Sequence, residues 1–254
     1  VLLYLQKLMV PTIFVEETLS WQDQLQTTDY FIEATIAELL ASIKKNSFQP
    51  IAPQWVTSWQ AQQTIATTTL TKQAMLTEFN ESAATVALVE QLKNSQLFVA
   101  NSNAIRFVDR LTAVNGNDVT IYGNRGVNGI DGLVSTTAGI AANQNQPTFL
   151  LIGDLAFFHD MNGLQMMKHY QLPVTIVLLN NNGGGIFSFL SQNQLQPEDF
   201  EPLFGTPLNM DFQHVAKLYG AVYHQPKTLA AFEQLISDAQ QQPIFQIIEV
   251  CGTQ

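Results

Sequence analysis

Asp154 and Asn181 are the two residues whose types and setting suggest chemistry first. Asp154 closes "TFLLIGD", and Asn181 lies in "NNNGGGIFSFL", which follows the apolar run "PVTIVLL". A carboxylate at the end of one apolar run and an amide at the end of the next bring two oxygens, and a backbone carbonyl of the glycine loop brings a third. That is one side of an octahedral Mg²⁺ shell, which takes one or two carboxylates and leaves the rest to water and substrate phosphates. Gly183, Gly184 and Gly185 carry no Cβ, so their main chain can approach a diphosphate closely. The plainer alternative is turn chemistry alone, because Asp after a strand is a common helix N-cap and Asn-Gly a common turn signal. Neither GxxxxGK[ST] nor GxGxxG occurs, which argues against a P-loop and weakens a Rossmann dinucleotide reading.

The chain has only three arginines, Arg106, Arg110 and Arg125. Arg106 and Arg125 fall beyond the ends of two further apolar segments, toward the same ligand edge. Guanidinium binds carboxylate in a bidentate fork and stays charged, so both suit a dicarboxylate substrate. Ion pairs with Asp109 or Asp131 are the bland alternative, and Arg110 reads as a solvent-side residue. "IFSFL" (186–190) returns to apolar residues straight after the glycines. A dry wall beside a reactive centre is one reading, and core packing of a helix start is the other. The four histidines show no metal-ligand spacing and read as surface or helix residues.

These residues need a frame. The first 115 residues hold no glycine, and ten of the 14 glycines fall between Gly123 and Gly185. A regular, mostly helical part therefore precedes a part rich in loops and close approaches. In the first, "TIFVEE" (12–17) reads as a strand, 29–45 as a helix capped by Asp29, Trp55 to about Asn80 as a long helix, and 82–93 as another. Pro50 and Pro53 mark a break, and the boundary is expected near residue 50, giving segments 1–50 and 51–254. From residue 97 strands and helices alternate: strands at 97–100, 119–122, 148–154, 174–180, 221–224 and 244–250, with helices between. Continuous apolar strands alternating with amphipathic helices predict an α/β fold, a doubly wound parallel sheet covered on both faces. Ligands in such sheets bind beyond the carboxyl ends of the strands, where Asp154 and Asn181 are placed. "GNRGVNGIDG" (123–132) reads as a tight loop leading into a helix.

Bulk properties narrow the class. The chain of 254 residues is 46% hydrophobic with a net charge of −10. It can bury a core, and it lacks the basic footprint of a nucleic-acid binder. No apolar run reaches the ~18 residues of a membrane span. The single Cys251 forms no internal disulfide and fits a reducing, cytoplasmic compartment.

Strand, "GD", a helix, and "NN" at the next strand end resemble the cofactor motif of thiamine diphosphate enzymes. "NRGVNGIDG", "GDLAFFHDMNGL" and "NNNGGGIFSFL" together resemble a branch of that family, the synthases of menaquinone biosynthesis. Leu155 departs from the third glycine of "GDG" found in many of these enzymes, though that branch often lacks it. The resemblance implies thiamine diphosphate with Mg²⁺ (or Mn²⁺). Asp154, Asn181 and the Gly183 carbonyl would hold the metal. Gly153, Leu155, Gly184, Gly185 and Ile186 would border the cofactor, and Ile130 would prop it in its bent form. Ser102, Arg106, Arg125, Ile186, Phe187 and Leu190 would meet substrate. The implied reaction decarboxylates 2-oxoglutarate and adds the succinyl-semialdehyde unit to isochorismate. It further implies a dimer or tetramer of a longer parent, with residues 1–50 ending a middle domain. A pyrimidine-binding domain would precede residue 1, and this piece would be inactive alone. The alternatives are another thiamine diphosphate enzyme, of decarboxylase or acetolactate-synthase type, and a non-enzymatic domain for nucleotide binding or assembly.

Overall fold

The computed structural model describes residues 2–18, 20, 22–43, 50–75, 79–113, 116–143 and 146–252. It divides into two compact units, Val1–Gln60 and Ala61–Gln254. The expected boundary near residue 50 adjoins residues 44–49, which lie outside the described ones.

The first unit opens with helix α1 (Leu2–Leu8) and pairs strand β1 (Ile13–Glu16) in parallel with β2 (Tyr30–Glu33). The expected helix over 29–45 is thus corrected. Its first residues form β2, whose Phe31 ring stacks on Phe14 at 5.5 Å. Consecutive aromatic and β-branched residues suit a strand, and the 3.6-residue stripe misled because Phe31 and Ile32 belong to another element. Asp29 does not cap a helix; its Oδ2 accepts from the Thr12 N–H at 2.7 Å. The helix that does form, α2 (Ile36–Ser42), is capped by Thr35 in a reciprocal box with Glu38. The expected residues 44 and 45 lie outside the described ones. Helix α3 (Pro53–Met75) begins on its proline, whose missing N–H costs nothing in a first turn. Its expected end at Asn80 is also corrected. Residues 76–78 are outside the described ones, and Asn80 caps the next helix, accepting from Ala83 N–H at 2.9 Å.

The second unit takes in α3 from Ala61 onward and then runs α4 (Glu81–Gln91), β3 (Ser95–Val99), α5 (Asn103–Leu111), β4 (Val119–Tyr122), α6 (Leu133–Asn143) and β5 (Thr148–Gly153). It continues α7 (Asp154–His159), α8 (Leu164–His169), β6 (Val174–Asn180), α9 (Pro197–Phe200), α10 (Phe212–Tyr219), β7 (Val222–His224), α11 (Leu229–Gln241) and β8 (Gln246–Cys251). The six strands form one parallel sheet in the order β4-β3-β5-β6-β8-β7. The apolar runs read from the sequence are its buried centre: β3, β5, β6 and β8 are buried along nearly all their length. Phe98, Phe149, Phe157, Phe212 and Phe232 fill the space between sheet and helices.

Right-handed crossovers fix which face each helix covers. The chain steps one way from β3 to β4 and from β7 to β8, which puts α5 and α11 on one face, and both pack on α4. It steps the other way from β4 to β5 and onward, which puts α6, α8 and α10 on the opposite face, packed in a row. The direction reverses between β3 and β5, a switch point at which a crevice opens beyond the strand ends. No helix among the described residues is long and apolar enough to cross a membrane.

Candidate active site

β5 and β6 are neighbours, with Gly153 level with Leu179, so their tips deliver Asp154 and Asn181 side by side. Asp154 is the first residue of α7 and only 2% exposed. Its Oδ2 accepts from the Gly183 N–H at 2.8 Å and its Oδ1 from the Leu155 N–H at 2.8 Å. The Asn181 amide puts one terminal atom 2.9 Å from the Gly183 carbonyl oxygen and 3.3 Å from Asp154 Oδ1. If that atom is nitrogen, it donates to both. If it is oxygen, three oxygens meet with no hydrogen among them, and only a cation satisfies them. Octahedral Mg²⁺ binds oxygens at ~2.1 Å, which sets neighbouring ligands about 3 Å apart. With the amide oxygen turned this way, the donor set fits a divalent cation.

The asparagines build the loop that carries these groups. Asn180 Nδ2 donates to Glu249 Oε1 at 2.5 Å, while its Oδ1 accepts from the Asn182 N–H at 2.9 Å. Asn182 takes the left-handed conformation (φ 59°), which Asn tolerates better than most residues, and Gly183 follows at φ 147°. The Asn182 side chain then pairs with Asn209, donating at 3.0 Å and accepting from its N–H at 2.8 Å. The glycines meet an unexpected neighbour. A Cβ on Gly183 would strike the Gly205 carbonyl oxygen, and one on Gly184 the Phe204 carbonyl oxygen. The Gly184 N–H donates to that Gly205 oxygen at 2.7 Å. The loop is thus pressed from behind by its own chain, a close approach that the sequence did not reveal.

In front of the loop lies a cavity of about 420 Å³, lined by chain ends following β3, β4, β5 and β6. Every residue expected at the site borders it: Ser102, Arg106, Arg125, Ile130, Gly153, Asp154, Leu155, Asn181, Gly183, Gly184, Gly185, Ile186, Phe187 and Leu190. The stretch after the glycines is not buried core: Phe187 and Ile186 are half-buried and Leu190 is 47% exposed. Among the described residues neither Arg106 nor Arg125 pairs with a carboxylate, so ion pairs with Asp109 and Asp131 do not form. Arg106 Nη1 donates to the Ser102 carbonyl at 2.7 Å, and Arg125 Nη1 to Asn101 Oδ1 at 2.5 Å.

Asn101, Glu81 and Glu249 were missed in the sequence. Asn101, 3% exposed, donates to the carbonyls of Asn124 and Gly129, at 3.1 and 2.5 Å. It therefore fixes the loop over 123–132 and orients Arg125. The signal available was an Asn directly after a buried strand at the ligand edge. Next to it, Ser102 sits at φ 70°, ψ −134°, with no side-chain cap bond to α5. Glu81 looks in sequence like an ordinary acidic first-turn residue, yet it lines the cavity. Burial, and then the charge of Asp154, push its carboxyl up to about 7. Burial pushes Asp154 up to about 6, against the downward pull of the Leu155 and Gly183 N–H groups.

The sequence compares with known proteins in the same sense. Residues 116–250 match the family model described as "Thiamine pyrophosphate enzyme, C-terminal TPP binding domain". A 2-succinyl-5-enolpyruvyl-6-hydroxy-3-cyclohexene-1-carboxylate synthase of Enterococcus faecalis is 49% identical over 244 residues, 94% of this chain and 41% of that protein. Synthases of the same name from Listeria monocytogenes serotype 4b and Bacillus velezensis are 38% and 35% identical over 93% and 95% of the chain, and 41% and 42% of those proteins. The chain thus spans about two fifths of the length of these relatives. In fold it is similar to a benzoylformate decarboxylase from Polynucleobacter necessarius, with TM-score 0.58 and 22% identity over 68% of this chain and 33% of the other. With the match covering more than half of its residues, the chain belongs to the thiamine pyrophosphate enzymes and carries their C-terminal, cofactor-binding domain.

Proposed function

We propose that the full-length protein is a thiamine diphosphate- and Mg²⁺-dependent (or Mn²⁺-dependent) synthase of menaquinone biosynthesis, taking 2-oxoglutarate and isochorismate. The observation that carries this reading is the meeting of Asp154, Asn181 and the Gly183 carbonyl in a cavity also lined by two arginines that, among the described residues, have no carboxylate partner. The identity with synthases of that name over nearly the whole chain supports the choice of reaction.

In this reading Asp154, Asn181 and the Gly183 carbonyl would hold the cation, which would supply the anchor for the cofactor's diphosphate. The bound cofactor supplies the electron sink for decarboxylation and carbon–carbon bond formation. The chain's own groups position and shield. Ile130 props the cofactor from the loop after β4, while Gly153, Leu155, Gly184 and Gly185 let it lie close to main chain. Arg106 and Arg125 each keep donors for a substrate carboxylate, and Ser102 presents its hydroxyl from the tip of β3. Ile186, Phe187 and Leu190 form an apolar rim that limits water at the reacting carbon. Residues 1–50 end a preceding middle domain and 51–254 form the diphosphate-binding domain of a homodimer or homotetramer.

Thermal shift of the full-length protein tests the cofactor. Mg²⁺ with thiamine diphosphate should raise the melting temperature, and Mg²⁺ with ATP should not. A keto-acid screen then tests the reaction. Preference for 2-oxoglutarate with isochorismate as acceptor supports the synthase. Preference for pyruvate or benzoylformate replaces it with another enzyme of the same family.

A further inference from the structure

Glu81 is a carboxyl group in the cavity that none of the assigned roles uses. The Asn80 cap and the buried length of α4 behind it hold it in place. A Cβ placed on Gly252 would lie 3.6 Å from the Glu81 carboxyl carbon, 3.5 Å from Asn181 Cβ and 3.7 Å from the Asn180 carbonyl oxygen. The Glu81 carboxyl and Asn181 Cβ therefore both border the same point at Gly252, next to the tip of β6. Glu81 faces the same cavity as Asp154 and is close enough to feel that group's charge. Among the described residues no side chain or backbone N–H donates to its oxygens. A half-buried carboxyl without a donor, beside a second carboxyl, is disfavoured in its charged form. It becomes favourable once a cation and hydrogen-bond donors arrive.

We propose that Glu81 is a positioning residue for the metal, its carboxylate accepting a hydrogen bond from a water bound to the cation that Asp154, Asn181 and Gly183 hold. The inference rests on the cofactor reading above. Mg²⁺ has six positions and retains water in those that neither protein nor phosphate fills. Such water is a strong donor, and groups one step beyond the ligands set its orientation. Glu81 suits this role because its carboxyl approaches from α4, whereas the three ligands come from the tips of β5 and β6.

The test uses the full-length protein with Glu81→Gln and Glu81→Ala. Mg²⁺ affinity is measured at saturating thiamine diphosphate by calorimetry, Mn²⁺ affinity by electron paramagnetic resonance, and the melting temperature is recorded without metal. Removing such an outer partner weakens metal binding about 10- to 100-fold. Glu81→Ala should fall in that range, and Glu81→Gln, which keeps an acceptor, should fall less. The metal-free melting temperature should not drop in Glu81→Gln, because the variant relieves an unpartnered carboxyl. Unchanged metal affinity in both variants overturns the proposal, as does a loss of metal-free stability in Glu81→Gln, which would mark Glu81 as a purely structural group. If the unaltered protein binds no Mg²⁺ with thiamine diphosphate, the cofactor reading itself fails. Normal binding there with unchanged affinity in the variants removes the role of Glu81 alone.

Discussion

Asn180 and Glu249 are joined across the seam between β6 and β8 by a hydrogen bond of 2.5 Å. Glu249 is 3% exposed, and its second oxygen accepts from the Tyr223 hydroxyl. Burial and the neighbouring Glu249 raise the Tyr223 hydroxyl well above its ordinary range, so it remains a donor. With the Cys251 thiol donating to its first oxygen at 3.8 Å, one buried carboxyl group is thus met by three donors, and one of them is the residue just before Asn181. The placing of Asn181 beside Asp154 thus depends on a glutamate 69 residues beyond Asn180 in the chain.

Tyr223→Phe tests this anchor. It removes one donor from a buried carboxylate and should cost about 1.5–3 kcal/mol, the range for hydrogen bonds to charged groups. Urea unfolding measures it. A cost within a few tenths of a kcal/mol would mean that Tyr223 does not support Glu249.

Gly184→Ala tests the contact behind the loop. The added methyl meets a main-chain oxygen, which cannot swing away as a side chain would. Overpacking of this kind costs about 1–3 kcal/mol. Gly183→Ala should cost more, because its φ of 147° also disfavours a side chain. Equal stability of both variants and the parent in urea would show that the loop stands clear of residues 204–205.

How far the sequence led is visible in such details. The six strands were legible, because continuous apolar runs are a local signal. The meeting of Asp154 with Asn181 was legible too, since consecutive strands in a doubly wound sheet commonly pair. What stayed hidden depends on partners distant in sequence. Asn101 reaches Gly129, Asn182 reaches Asn209, and Glu249 reaches Asn180, and none of these pairs leaves a periodic trace. β2 was hidden for the opposite reason: its short run fits a helical stripe as well as a strand.

Ser102→Gly should stabilise the chain by about 1 kcal/mol. Ser102 occupies a backbone region that costs a non-glycine residue about 1–3 kcal/mol, and glycine removes that strain while adding unfolded-state entropy. If the hydroxyl meets substrate, the same variant raises KM. A gain in chemical-denaturation midpoint together with weaker substrate binding is the expected pair of results. A loss of stability would show that the strained turn is not paid for at Ser102.

Asp154→Asn separates the metal role from the fold. In the metal-free chain the Asp154 carboxyl is raised from its ordinary 3.8 to about 6, so the fold favours the protonated form. Its contribution is fully present below pH ~4 and is lost as pH rises through about 6. Asn cannot ionise, so the variant should melt higher than the parent at pH 7.5 without metal and equally at pH 4. With Mg²⁺ and thiamine diphosphate the order should reverse, because the parent alone gains the ligand's stabilisation. Identical melting profiles across this range would contradict the burial of a charged group there.

The carbonyls of Phe204 and Gly205 that press on the glycine loop belong to the backbone, not to side chains. Substitution at those two positions can therefore leave the rear wall as it is, while the facing positions accept almost nothing larger than hydrogen. Evolution can reshape the intervening excursion, 186–203, and with it the rim around the substrate, provided the chain comes back to the same spot. Under the proposed function, the hold on the phosphate and the choice of what reacts would in this way be able to change separately.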